Sequence, residues 1–181
     1  MARLYLVRHG EAAAAWGAHD PDPGLSALGA EQAAAAAAAL ADHRVEFALC
    51  SPLRRCRETA APWSAASGIN PRIDPFVGEI ETPADIPDRR AWLQSLMAGA
   101  WSDAPALQPW RRRVLWTLAA QQRDMVVFSH FVAINVVVGA ALGRDACVVF
   151  HPANASITVV ESQSGRFRLI EAGAEAQSRV L

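Results

Sequence analysis

Short runs of bulky apolar residues alternate with longer helix-forming stretches along the chain. Residues 4–7, 45–50 and 124–129 are mostly apolar and too short for amphipathic helices, and they predict buried strands. Between the first two, residues 27–43 contain seven consecutive alanines and predict a helix that is capped by Ser26. The resulting β-α-β order predicts an α/β fold with a parallel sheet.

The rest of the chain continues this pattern. Turn formers predict a loop over 12–24, and four prolines predict irregular structure over 70–88. Apolar spacing and helix-terminal residues predict four further helices, over 52–68, 88–97, 108–123 and 133–142, the first with Pro52 in its first turn and the last closed by Gly143. The remaining strands are expected at the sheet edge over 72–74 and in a β-hairpin formed by 156–161 and 166–171.

Length and composition favour one compact domain over residues 1–181. The chain is 52% hydrophobic and 19% charged, which is typical of a folded protein with a full core. Its net charge of −1 gives no reason to expect nucleic acid or an anionic membrane as a partner. The sequence shows no signal-peptide pattern and no apolar run long enough for a membrane span, so a soluble cytoplasmic protein is expected. The three cysteines fit neither a disulfide nor a zinc pattern, so they are expected to be reduced thiols.

Polar residues stand at the carboxyl end of each of the three buried strands. Arg8-His9-Gly10-Glu11 follows the first, the stretch from Ser51 with Arg54 and Arg55 follows the second, and Ser129-His130 ends the third. Because the carboxyl ends of parallel strands share one edge of a sheet, these side chains are expected to converge there.

This set of residues suits phosphoryl chemistry. Two guanidinium groups and one imidazole can hold a phosphoryl dianion, and a second imidazole can attack phosphorus if a fixed acceptor, such as a backbone carbonyl, keeps one of its nitrogens protonated. A carboxylic acid is also needed to protonate the leaving group and later to activate water. Glu79 is the first candidate for that acid, with Glu81 and Glu11 as alternatives.

The same stretches resemble the histidine phosphatase superfamily, the phosphoglycerate-mutase-like proteins. The resemblance covers nearly the whole chain and is carried by the motifs at 6–11, 25–33, 51–60, 79–80, 129–130 and 154–157. It implies a three-layer α/β/α sandwich with a mostly parallel sheet, a short helical cap region at about 80–123, and catalysis without a metal or other cofactor.

The resemblance also implies roles for individual residues. His9 becomes transiently phosphorylated, Arg8, Arg55 and His130 bind the phosphoryl group, and Glu79 donates the proton. Arg54 remains a rival of Arg55 because the two are adjacent in the motif. The expected partner is a phosphorylated small molecule, with a phosphoprotein as an alternative, and the sequence does not predict an oligomeric state.

Some positions depart from the specialised mutases of this superfamily. Ala12 and Ala15 stand where those enzymes carry a hydroxyl residue and an Asn, and Phe131 replaces the usual Gly after the second histidine. These departures favour a phosphomonoester hydrolase that acts on a substrate with some apolar character. Mutase-type phosphoryl transfer, a phosphohistidine protein phosphatase and a non-catalytic phospho-ligand binder are the alternatives.

Other chemistry-bearing residues have structural interpretations. His19, Asp20 and Asp22 are typical of a solvated turn rather than a metal cluster, and His43 and His151 are expected to be structural. The three arginines at 111–113 indicate the wet face of a helix, or a contact with an acidic partner. Most of the tryptophans between 92 and 116 are expected in the core, with one or two over the pocket.

Overall fold

A six-stranded sheet runs through the centre of the protein. The computed structural model describes residues 1–14, 20 and 22–176, so Ala15, Trp16 and His19 of the predicted loop lie outside the described residues. The strands are β1 (Ala2–Arg8), β2 (Phe47–Cys50), β3 (Arg72–Ile73), β4 (Met125–Ser129), β5 (Ile157–Gln163) and β6 (Arg166–Glu171). They lie in the order β3-β2-β4-β1-β5-β6.

The sheet is mostly parallel, as predicted. β1, β2, β3 and β4 are mutually parallel, whereas β5 runs antiparallel to β1 and forms the predicted hairpin with β6. β1 and β2 are not neighbours, because β4 lies between them and pairs with both. The first and third polar strand ends of the sequence are therefore adjacent in space.

Within the described residues, five α-helices cover the two faces of the sheet. They are α1 (Ala27–Ala39), α2 (Arg54–Ser67), α3 (Arg89–Ala98), α4 (Gln108–Ala119) and α5 (Phe131–Leu142). Along β1, Leu4 and Leu6 lie in the core formed with α3, α4 and α5, and the alternate residues Tyr5 and Val7 lie in the core formed with α1 and α2. This two-sided burial confirms the three-layer α/β/α sandwich.

Ser26 caps α1 as predicted, since its side chain accepts a hydrogen bond from the backbone N–H of Gly29. The helix ends at Ala39 instead of reaching residue 43. Leu40 is buried, and the N–H groups of Ala41 and His43 bond to carbonyls only three residues back, which tightens the chain into a turn.

The starts of α2 and α5 also differ from the predictions. Both helices begin next to strand ends that carry candidate site residues. α2 begins at Arg54 and not at Pro52, because Leu53 is still extended and Ser51 accepts a hydrogen bond from its N–H. α5 begins at Phe131, two residues earlier than predicted, so that His130 stands directly at the helix start. The apolar residues between Phe131 and Val138 are all buried, and their packing outweighs the low helix propensity of the valine run.

The region expected to form a cap, residues 80–123, contains α3, two 3-10 turns and α4. Leu93, Val114 and Leu118 of this region are buried in the core next to α5. α4 ends at Ala119, short of the predicted 123. That the region acts as a cap over the site stays a prediction. In the part of the chain that the structure describes, none of the helices is long and apolar enough to cross a membrane.

Candidate active site

The two histidines of the predicted site meet because their strands are neighbours. Arg8 at the end of β1 lies opposite Ser129 at the end of β4, so His9 and His130 follow at the same level. The backbone N–H of His9 donates to the carbonyl of Ser129 at 3.0 Å. The ring centroids of the two histidines are 5.2 Å apart in an edge-on arrangement.

His9 is held as a neutral imidazole with a defined tautomer. Its Nδ1 lies 2.7 Å from the carbonyl oxygen of Gly10, which can only accept, so Nδ1 carries the proton. The Nε–H of Arg55 donates to the free Nε2 at 3.2 Å. Burial lowers the pKa of His9 to about 3, and the charges of Arg55 and Arg8 act in the same direction. The backbone carbonyl expected from the sequence is therefore that of the next residue.

The peptide of Gly10 is itself fixed. Its N–H donates to the buried hydroxyl of Thr59 at 2.9 Å, and that hydroxyl donates to the carbonyl of Arg55 at 2.7 Å. A Cβ atom at Gly10 would lie 2.5 Å from the carbonyl oxygen of Gly29 in α1. Only glycine therefore lets this turn pack against the first turn of α1.

The structure separates the two adjacent arginines that the sequence left as rivals. Arg55 is buried at 5% exposure between the two histidines. Arg54 is exposed and forms an ion pair with Glu58 at 2.7 Å, one helical turn along α2. Only Arg55 lies at the two rings, so we place it, and not Arg54, in the candidate phosphoryl pocket.

Arg8 is buried and reaches the loop before β5. One of its terminal nitrogens donates to the carbonyl of Pro152 at 2.8 Å, and the guanidinium lies 5.2 Å from the centre of the Phe131 ring. Its buried Nε has no hydrogen-bond partner in the protein. Burial lowers the pKa of Arg8 to about 10, so it is still charged at neutral pH.

His130 is fully buried and contacts groups from two elements. Its Nε2 lies 2.7 Å from the hydroxyl oxygen of Ser51 and 3.3 Å from the sulfur of Cys56, and its Nδ1 lies 3.4 Å from a terminal nitrogen of Arg55. Burial lowers the pKa of His130 well below its usual value, and the charges of Arg55 and Arg8 lower it further.

Among the three candidate carboxylates, Glu79 is the one that the fold buries. Burial raises its pKa, although backbone N–H groups and the charges of Arg55 and Arg8 oppose the shift. One of these N–H groups, that of Ile80, donates to Glu79 Oε1 at 2.9 Å. Glu81 is exposed, and Glu11 is exposed and accepts a hydrogen bond from Ser26. Glu79 is thus the carboxyl group that lies in the field of the two arginines.

Three side chains that contact these residues had no role in the sequence analysis: Ser51, Cys56 and Thr59. They lie in the same motif as Arg55, and each is fully buried. Ser51 could have been indicated by its position at a strand end. Thr59 could have been indicated by its position four residues after Arg55 in the same helix. Their partners depend on tertiary contacts and cannot be derived from spacing alone.

The remaining residues singled out in the sequence lie elsewhere. His43 is exposed against Tyr5, His151 is exposed against Phe131, and Arg111 pairs with Asp145 at 3.7 Å. Trp101 is buried, whereas Trp116 is 73% exposed and lies outside the core. Trp92 and Trp110 are half-buried and pack against the core.

The acidic turn near His19 has its own partners. Asp22 accepts a hydrogen bond from the backbone N–H of Arg54, and Asp20 accepts one from the backbone N–H of Asp22. His19 lies outside the described residues. Within residues 1–14, 20 and 22–176, the structure contains no cluster of three His, Cys, Asp or Glu side chains arranged to hold a metal ion.

The fold and the buried site define an α/β protein with paired histidines and arginines at one sheet edge. A model of the histidine phosphatase superfamily (branch 1) matches residues 4–174, and the chain belongs to this family. The uncharacterized protein Rv0525 of Mycobacterium tuberculosis is 39% identical over 125 residues, which cover 64% of this chain and 52% of that protein. The chain thus spans about half the length of the curated relatives it matches.

Solved structures agree with the fold. The alpha-ribazole phosphatase of Shigella flexneri superposes with a TM-score of 0.72 at 21% identity and covers 98% of both chains. A mycobacterial glucosyl-3-phosphoglycerate phosphatase in complex with VO3 superposes with a TM-score of 0.70 at 26% identity, over 96% of this chain and 99% of the other. The same phosphatase with inorganic phosphate gives a TM-score of 0.70 at 25% identity, over 98% and 99%.

Proposed function

We propose that this protein is a phosphomonoester hydrolase that works through a phosphohistidine on His9, without a metal. The observation that carries the proposal is the state of His9. Its Nδ1 proton is bonded to the carbonyl of Gly10, so that Nε2 carries a lone pair, which faces the guanidinium group of Arg55. A neutral imidazole of fixed tautomer is the form that a nitrogen nucleophile requires.

In the first step, the substrate phosphoryl group binds to Arg8, Arg55 and His130. The buried, unpartnered Nε of Arg8 supports this role, because a phosphoryl oxygen would satisfy it. The Nε2 lone pair of His9 forms a bond to phosphorus while the ester P–O bond breaks. The two guanidinium groups stabilise the negative charge on the equatorial oxygens in the transition state.

Glu79 completes both steps as acid and then as base. Its raised pKa supports a protonated carboxyl group that donates to the leaving alkoxide. The resulting carboxylate takes a proton from water, whose oxygen attacks phosphorus. The N–P bond breaks, its electron pair returns to Nε2, and inorganic phosphate leaves.

Two further observations favour hydrolysis of small phosphate esters over the alternatives. The similar mycobacterial glucosyl-3-phosphoglycerate phosphatase was solved in complex with VO3 and with inorganic phosphate. This similarity supports phosphate as the group that the present site recognises. Phe131 lies against Arg8 and presents an apolar wall next to the phosphoryl pocket. We infer a phosphorylated small molecule with some apolar character as the substrate.

The test is hydrolysis of p-nitrophenyl phosphate, with a chelator present, by the wild-type protein and by His9→Ala. The wild type is expected to release phosphate and to form an acid-labile phosphoprotein in a quenched reaction, and His9→Ala is expected to do neither. His43→Ala is the matched control, because His43 is an exposed histidine that packs on Tyr5 away from the site.

The outcomes discriminate between the functions. Equal turnover by His9→Ala, or turnover that the chelator abolishes in the wild type, would contradict the proposal. Transfer of phosphate to a second position of a phosphoglycerate without net release would indicate the mutase alternative. Binding of inorganic phosphate without any turnover would indicate the non-catalytic binder.

A further inference from the structure

Ser51 is the first residue after β2, and its side chain lies inside the candidate active site. It is fully buried, and its hydroxyl oxygen is 2.7 Å from Nε2 of His130. The same oxygen accepts a hydrogen bond from the backbone N–H of Leu53 at 3.3 Å. That bond holds the hydroxyl oxygen in place at the start of α2, before the helix begins at Arg54.

The positions of the protons on His130 follow from its other neighbour. A guanidinium group has donors only, so the terminal nitrogen of Arg55, 3.4 Å away, meets Nδ1 of His130 as an acceptor. In a neutral imidazole the proton is then on Nε2, and the Nε2–H group donates a hydrogen bond to the oxygen of Ser51. His130 is neutral in the resting protein, because burial lowers its pKa well below the usual value.

We propose that Ser51 is a positioning residue, whose hydroxyl oxygen keeps the resting proton of His130 on Nε2 and turns Nδ1 toward Arg55 and the phosphoryl pocket. There Nδ1 takes the proton of a bound phosphate monoester monoanion and then donates to a phosphoryl oxygen, while Nε2–H stays bonded to Ser51. The catalytic consequence rests on the proposed function, because it matters only if His130 contacts the phosphoryl group. The proton arrangement itself is a property of the resting protein. The two histidines are thus oriented by different groups, His9 by a backbone carbonyl and His130 by the side chain of the residue that follows β2.

Cys56 is the rival partner, since its sulfur lies 3.3 Å from the same nitrogen. Its thiol, however, donates to the carbonyl of Ser129 at 3.3 Å, and sulfur is a weak acceptor. Burial raises the pKa of Cys56 well above its usual value, so the sulfur is not a thiolate. The shorter contact and the better acceptor both favour Ser51.

The test compares Ser51→Ala with two matched variants in the full chain. Ser129→Ala removes another buried serine hydroxyl at the end of the neighbouring strand, which donates to the carbonyl of Val77 at 2.7 Å and not to an imidazole. Cys56→Ala removes the rival sulfur. The readout is NMR of ring-labelled histidine, with the His130 signals assigned by their absence in His130→Gln, together with kcat/KM for p-nitrophenyl phosphate.

In the wild type, the Nε2–H proton of His130 is expected downfield and protected from exchange with water. Ser51→Ala is expected to move this signal upfield or abolish it. It is also expected to lower kcat/KM roughly tenfold, because the hydrogen bond that orients a buried imidazole is lost. Ser129→Ala and Cys56→Ala are expected to leave the signal in place.

An unchanged His130 signal in Ser51→Ala, or a signal that only Cys56→Ala removes, would overturn the proposal. If the signal responds to Ser51→Ala while the wild type hydrolyses no phosphate ester, the positioning role stands and the proposed function fails. Melting temperatures of all three variants, compared with the wild type, show whether any change arises from lost folding.

Discussion

The Nε–H of Arg55 points at Nε2 of His9 across 3.2 Å. In the free site, this hydrogen bond occupies the lone pair that would attack phosphorus. A bound phosphoryl group offers the guanidinium a charged acceptor, which forms a stronger bond than a neutral ring nitrogen does. Substrate binding is therefore expected to release the nucleophile at the moment when its target arrives.

The first prediction concerns the two neighbouring arginines. Arg55→Lys keeps a positive charge but loses the planar set of donors, so kcat/KM is expected to fall about 100-fold or more. Steady-state kinetics with p-nitrophenyl phosphate measure this change. Arg54→Lys is the matched control, because Arg54 is exposed and pairs with Glu58 outside the site. A larger loss from Arg54→Lys than from Arg55→Lys would reverse the assignment.

The second prediction uses leaving groups to test Glu79. The side chain of Glu79→Gln cannot supply a proton, so hydrolysis of an alkyl phosphate is expected to fall about 100-fold or more. Phosphorylation of the enzyme by p-nitrophenyl phosphate should fall far less, because the p-nitrophenolate leaving group needs no proton. Because the acid form is lost as pH rises through the raised pKa of Glu79, alkyl phosphate turnover by the wild type should decline on the alkaline side. Rapid-quench and steady-state rates separate the two steps.

Glu81→Gln provides the control for this experiment. Glu81 is two residues away and exposed, so its variant is expected to keep the leaving-group dependence of the wild type. Should Glu81→Gln instead show the selective loss on alkyl phosphates, the proton donor would be Glu81.

The third prediction concerns Thr59, which links the turn after His9 to α2. Thr59→Val keeps the shape of the side chain but leaves the buried N–H of Gly10 without its acceptor. The free energy of unfolding is expected to fall by about 1–3 kcal/mol. Turnover should fall about tenfold, because the Gly10 carbonyl that orients His9 is no longer fixed.

Thr59→Ser retains the hydroxyl and is expected to keep most of the activity, although it loses a buried methyl group. Chemical denaturation and kinetics of both variants provide the comparison. Equal activity of the valine and serine variants would show that the hydroxyl does not act on His9.

The fourth prediction is the acid response of stability. The pKa of His9 is lowered to about 3 in the folded protein, whereas an imidazole in the unfolded chain titrates at about 6.5. Below that pH the unfolded state takes up a proton that folded His9 does not, so stability is lost as pH falls. Between pH 6.5 and 5 this residue should cost about 1.5 kcal/mol of the free energy of unfolding.

His9→Asn removes this contribution, so its free energy of unfolding should fall less steeply over the same pH interval. Urea denaturation at several pH values measures the slopes. Parallel slopes for the wild type and His9→Asn would mean that folded His9 takes up its proton in the same range as the unfolded chain.

The sequence was sufficient to predict the architecture and the residues that meet at the strand ends. Short apolar runs and the alanine-rich helix indicated the strands and α1, because burial on both faces of a sheet and strong helix propensity are local properties of the chain. The strand ends carrying His9 and His130 followed from the same pattern. Helix ends were less accurate, as the start of α5 at Phe131 shows, because tertiary packing decides them.

The tertiary structure alone decided how these residues act on one another. The insertion of β4 between β1 and β2 brings the two histidines together, and a strand order of this kind leaves no local signal in the sequence. The choice of Arg55 over Arg54 depends on which side of α2 faces the sheet edge. Sequence determined which groups are present, whereas burial and neighbours determined their protons, since a pKa and a tautomer depend on contacts between residues that are far apart in the chain.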